Sequence, residues 1–87
     1  MRLDKFLKTS LIFKTRSSAE KAIEQGNVLL NNSKAKPSSN IKVGDILIVT
    51  SLLKRTSYKV LELKDKNVSK KEARDMFDII GEEKFEF

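Results

Sequence analysis

The chain contains no cysteine and no histidine in its 87 residues. Those absences exclude disulfide staples, thiolate nucleophiles, most zinc sites and the usual acid–base residue of neutral pH. Long apolar runs are missing too, and no stretch of about 18 apolar residues exists to span a bilayer. Met1 leads straight into Arg2, Asp4 and Lys5, where a secretory leader would carry an apolar core. The expectation is a soluble, cytoplasmic protein with no membrane partner. Neither glycine-rich phosphate loop, G-x-x-x-x-G-K-[ST] or G-x-G-x-x-G, occurs, nor does H-E-x-x-H. A single small domain of this length buries about 60–65% of its unfolded surface, which leaves little volume for a catalytic cleft.

Acid is scarce over most of the chain. Residues 1–60 hold twelve Lys/Arg against four acids, whereas residues 61–87 hold six against eight. A basic body with a mildly acidic tail points to a polyanionic partner approached from one side. The four acids are dispersed: Asp4 on a first helix, Glu20 in a cap, Glu24 on a surface, Asp45 in a turn. General acid–base work needs carboxylates that converge in a desolvated pocket. No catalytic residue, no metal site and no cofactor is therefore expected. The expected role of Asp4 is to pair with a nearby arginine or lysine and orient it.

The periodicities that are present describe an α+β domain. Leu3, Phe6 and Leu7 fall on one face of a short helix, with Arg2, Lys5 and Lys8 recurring on another. Leu11, Ile12 and Phe13 are expected to tuck the following connection into the core. Ser17-x-x-Glu20 reads as a capping box, placing Arg16 just before a second helix with Ala19, Ala22 and Ile23 inward and Gly26 at its end. Val28–Leu30 reads as a strand, "NNSKAKPSSN" as a turn, and "IKVGDILIVT" as a turn followed by a β-branched strand. "SYKVLELK" reads as a last strand, joined to the preceding one by the loop "LLKRTS", where Lys54 and Arg55 face solvent. Ser69-x-x-Glu72 is a second capping box and opens a helix with Ala73, Met76, Phe77 and Ile80 inward and Gly81 at its end. Phe85 and Phe87 in the charged tail either dock back on the domain or meet a partner. The expected sheet has three or four strands. The expected division is 1–64 for the domain with its sheet extension and 65–87 for a C-terminal helix and charged tail.

"RLDKFL" at 2–7, "RSSAEKAIEQGNVLLNN" at 16–32 and "IKVGDILIV" at 41–49 together resemble the S-four-type RNA-binding domain. The resemblance implies its αL motif: two short helices packed on a small twisted antiparallel or mixed sheet, here with a C-terminal helix. The start "MRLDKFLK", the segment "KVLELKDK" and "MFDIIGEE" near the end are similar to the RqcP (YabO) family of stand-alone proteins related to heat-shock protein fifteen. That likeness implies a non-enzymatic factor of ribosome-associated quality control. Such a factor binds large subunits obstructed by peptidyl-tRNA, contacts large-subunit ribosomal RNA and the P-site tRNA, and supports alanine tailing with an RqcH-type factor. A monomer is expected. The resemblance makes Arg2 and Arg16 the RNA-contacting residues. The family's V-N-G turn reads Leu30-Asn31-Asn32 here, which asks Asn32 to take the left-handed position of glycine.

Chemistry extends that site. Arginine offers a planar fork to phosphate oxygens that lysine cannot reproduce. Lys5, Lys8, Lys14 and Lys21 add less directional attraction, and Ser18 is a candidate phosphate donor beside the second helix's N-terminus. Lys34 and Lys36 either touch RNA or are merely solvated. The competing reading is a general ribosomal or transfer RNA-binding module, acting in large-subunit recycling or ribosome assembly. An accessory RNA-targeting subunit of an RNA-modifying enzyme is the other.

Overall fold

Leu3, Phe6 and Leu7 are fully buried and bring the first helix, α1 (Leu3–Thr9), onto the core. In the computed structural model, which describes residues 1–86, α2 (Arg16–Glu24) packs beside it and contributes buried Ala19 and Ile23. Helix α2 stops at Gln25, and Gly26 follows with φ +79°, the left-handed conformation glycine adopts without penalty. The connection between the helices is less buried than expected. Ile12 and Phe13 are half-buried, but Leu11 is 48% exposed and itself left-handed, with φ 63°.

Five antiparallel strands form one sheet in the order β2-β1-β3-β4-β5. They are β1 (Val28–Leu30), β2 (Ser33–Lys34), β3 (Ile46–Thr50), β4 (Lys54–Val60) and β5 (Phe77–Lys84). Strands β1 and β2 form a hairpin with Leu30 opposite Ser33, so its turn is the two residues Asn31 and Asn32. Both have positive φ, 50° and 66°, as a type I′ turn requires. The left-handed reading of Asn32 holds, and Asn31 shares it. Asn31 also accepts from the Ile46 N–H (2.9 Å) and donates to the buried Asp45 carboxylate (3.1 Å), tying the turn to the start of β3.

Val28, Leu47 and Val60 on one face of the sheet join Leu3, Phe6, Leu7, Ala19, Ile23, Ile41 and Met76 in a single core. The other end of the chain departs from expectation. Helix α3 (Lys70–Arg74) opens on the predicted capping box, with Ser69 accepting from the Glu72 N–H, but lasts only five residues. From Phe77 the chain is a strand, not a helix, and Gly81 lies within it opposite Ser57. Lys54 and Arg55 likewise belong to β4, not to a loop, and the connecting turn shrinks to Ser51–Leu53. Phe85 is half-buried, with the Arg55 guanidinium 5.9 Å from its ring centre. The reading of Phe87 lies outside the described residues.

Candidate nucleic-acid interface

The site begins with one buried carboxylate. Asp4 sits in the first turn of α1 with no accessible surface, although an ionised carboxylate is costly to bury unless its oxygens are fully engaged. Five donor contacts engage them. The Lys5 backbone N–H donates at 2.8 Å, and Arg2 donates from Nε at 3.2 Å and from Nη2 at 3.1 Å. Arg16 approaches from the start of α2, its Nε 3.2 Å and its Nη2 3.4 Å from the same carboxylate. Burial alone would raise the Asp4 pKa. The Arg16 and Arg2 guanidiniums and the Lys5 N–H outweigh it and hold the carboxyl below its ordinary 3.8.

The consequence is two arginines clamped by a single negative charge. Each side chain remains about half exposed, 50% for Arg2 and 45% for Arg16. Each spends its Nε and one terminal nitrogen on Asp4, and its Nη1 makes no hydrogen bond to a described residue. One positive charge of the triad is left uncompensated. Asp4 therefore orients arginine, as its place in "RLD" suggested.

The backbone fixes where these side chains stand. The loop before β3 lies across the start of α1, with the Leu3 N–H donating to Ser39 O (2.8 Å) and the Asp4 N–H to Pro37 O (3.1 Å). Lys36, exposed in that loop, is thereby brought to the Arg2 end of α1. The expected cap of α2 is displaced by two residues. Thr15, not Ser17, is the N-cap and accepts from the Ser18 N–H, so Arg16 is the first helical residue and Glu20 is not part of the cap. The Ser18 hydroxyl donates to Thr15 O (2.9 Å) and accepts from the Thr15 hydroxyl (2.8 Å), which commits its proton to the cap. The T-x-x-S spacing carried that signal, but S-x-x-E, one of the commonest start patterns, obscured it.

The lysines divide into two groups. Lys5 is engaged by Asp65 at 2.6 Å, a pair sixty residues apart that local sequence gave no means of finding. Lys8, Lys14, Lys21, Lys34 and Lys36 are exposed and have no ion-pair partner among the described residues. Lys34 stands at the opposite end of α2 from Arg16, its Cε about 4.0 Å from where a side chain on Gly26 would begin. The arginine pair, Lys36, Lys14 and the first turn of α2 thus make one group, with Lys34 apart from it.

That combination, an R-x-D turn at the start of one helix clamping an arginine at the start of the next, above a hairpin-closed sheet, accompanies a match of residues 1–47 to the S4 domain family. The chain belongs to the S4-domain family. It is 45% identical over 97% of its length to the RQC P-site tRNA stabilizing factor of Bacillus subtilis, covering 96% of that protein. It is 40% identical over 99% of its length to the protein of the same name from Streptococcus pneumoniae, covering 97% of it. In structure it resembles heat shock protein 15 of Vibrio cholerae, a trimeric structure, with a TM-score of 0.83 and 28% identity over 91% of this chain and 80% of that one. The matched residues 1–47 hold the two helices, the β1–β2 hairpin and the start of β3, and β4 and β5 continue the same antiparallel sheet. Among the described residues, no helix is long and apolar enough to cross a membrane.

Proposed function

We propose that this chain is a non-catalytic RNA-binding factor of ribosome-associated quality control. It binds large ribosomal subunits obstructed by peptidyl-tRNA, contacts ribosomal RNA and the P-site tRNA, and keeps that tRNA in place while an RqcH-type factor extends the trapped chain with alanine. The observation that carries this reading is the clamp of Arg2 and Arg16 on Asp4. Two half-exposed guanidinium forks held a fixed distance apart suit the phosphates of a folded RNA, which is recognised largely through backbone and shape. The first turn of α2 adds backbone N–H groups that the helix cannot satisfy internally. Lys14 and Lys36 flank the clamp and extend the attraction. The names of the near full-length relatives support the choice of P-site tRNA over other folded RNAs.

The test is sedimentation of the protein with purified large subunits, with and without stalled peptidyl-tRNA. The expected result is enrichment on obstructed subunits, which Arg16→Ala weakens while the chain still folds, at a stability cost of about 1–3 kcal/mol because the buried Asp4 carboxylate loses a charged partner. Equal recovery on empty subunits would favour a general ribosomal RNA-binding role. Unfolding of Arg16→Ala would make the arginine structural instead.

A further inference from the structure

The helices cover only part of the inner sheet face. Beyond them, a pocket of about 250 Å³ opens between the α1–α2 connection and the β3–β4 hairpin. Its walls are Phe13 from the connection, Ala22 from α2, Val49 from β3, and Lys54, Thr56 and Tyr58 from β4. The volume lies just under the range of drug-sized ligand sites and suits one flat ring. Two features separate it from a packing defect. Thr56 is 97% buried, 3% accessible, yet its hydroxyl makes no hydrogen bond to a described residue, while every sealed polar side-chain atom has a partner. The hydroxyl therefore has its residual access through the pocket. The pocket also lies close to the arginine clamp along the chain. Phe13 is three residues from Arg16, at most about 11 Å even along a fully extended chain, with exposed Lys14 between them. Lys54 contributes its alkyl chain, since its head lies 3.4 Å from Glu82.

We infer that this pocket receives one unstacked nucleobase of the bound RNA, an inference that rests on the RNA-binding reading above. Phe13 and Tyr58 pack on the ring, the Thr56 hydroxyl bonds the base edge, and Lys14 and Arg16 hold the adjoining phosphates. Proteins read single-stranded RNA in this manner, by stacking splayed bases on aromatic rings beside cations. An apolar side chain from a protein partner would use neither the free hydroxyl nor Lys14.

The test is NMR of the full chain titrated with AMP, UMP and ribose 5-phosphate, with large-subunit binding measured in parallel. AMP or UMP should shift the resonances of Phe13, Thr56 and Tyr58 together with those of Lys14 and Arg16, whereas ribose 5-phosphate should shift only the last two. Thr56→Val should weaken the nucleotide shifts and reduce large-subunit affinity about two- to tenfold, the loss of one neutral hydrogen bond. Its melting temperature should stay level or rise, because an unpaired hydroxyl is removed from a buried site. Identical maps for nucleotide and ribose phosphate would overturn the pocket inference while leaving the clamp intact. So would Thr56→Val binding subunits like wild type. Failure of the wild type to bind large subunits at all would overturn the RNA-binding reading instead.

Discussion

Asp4 links the stability of the domain to the placement of its arginines, and its two consequences pull in opposite directions. Asp4→Asn raises the net charge by one, so electrostatics alone favours tighter RNA binding. Positioning favours the reverse, because the guanidiniums lose their shared anchor. We expect Asp4→Asn to weaken large-subunit binding and to destabilise the fold by about 1–3 kcal/mol, the range for breaking buried charged hydrogen bonds. Tighter binding in a filter assay would show that the clamp is dispensable. The pH dependence follows from the same contacts. The folded carboxyl titrates below its ordinary 3.8, so its stabilising contribution is complete above that value and is lost as pH falls through the depressed one. Melting temperatures of wild type and Asp4→Asn should therefore differ at pH 6, start to converge as pH drops below 3.8 and meet only once it has fallen through the depressed value. A second residue-scale expectation concerns Asn32, with φ 66°. Asn32→Gly should stabilise by up to about 1 kcal/mol in urea unfolding, the left-handed cost that asparagine reduces but does not abolish. Both residues were legible from the sequence, since R-x-D sets a carboxylate two residues from a cation and the family's V-N-G turn placed Asn32 where its glycine stands. The α2 cap was not, because serine and threonine cap alike and a two-residue shift preserves the inward face of Ala19 and Ile23.

At the scale of elements, the segment after α3 shows where periodicity runs out. Ala73, Met76, Phe77 and Ile80 satisfy a helical stripe, and Gly81 completes the pattern with a stop. Met76 and Ala73 are indeed buried, but Ile80 is 50% exposed, and the chain beyond Met76 is extended. What decides is a distant edge. Strand β4 would otherwise leave its outer N–H and C=O groups unpaired, and β5 pairs with it from Lys54 opposite Lys84 to Val60 opposite Phe77, interrupted by one bulge at Ile80. Tyr58 and Phe77 meet edge to face at 5.2 Å across that seam. Propensity within a short window carries no knowledge of an open edge twenty residues away. The two readings of Gly81 make opposite predictions. A helix-terminating glycine resists substitution, whereas here a Cβ would meet only Ser57 at 3.7 Å and the backbone is not left-handed. Gly81→Ala should accordingly stabilise by about 0.4–1 kcal/mol, through lost freedom of the unfolded chain. A drop in the denaturation midpoint would favour the helical reading.

Across the whole molecule, β5 decides which of the cations remain available. Its acids stand against β4, with Glu82 3.4 Å from Lys54, Glu83 3.4 Å from Arg55, and Asp78 opposite Lys59 in register. The charge asymmetry visible in composition, a basic body and an acidic tail, is thus spent partly within the sheet. The far end of the sheet is nearly neutral, while Lys8, Lys14, Lys21 and Lys36, on or beside the first two helices, are among the cations that make no ion pair with a described residue. Each phosphate neutralised by a protein cation releases condensed counterions, so affinity falls with salt by a slope of roughly 0.7–0.9 per contact. Removing a cation that touches phosphate lowers that slope by about one contact, and removing one matched by an acid of its own, as Arg55 is by Glu83, lowers it far less, whereas Arg16 shares Asp4 with Arg2 and one charge of that triad stays free. Large-subunit binding measured from 50 to 300 mM salt should therefore lose close to one contact's slope in Arg16→Ala and almost none in Arg55→Ala, although both variants lose one formal charge. Equal losses would mean that RNA also lies along β4, and that the acids of β5 yield to it rather than shield the strand.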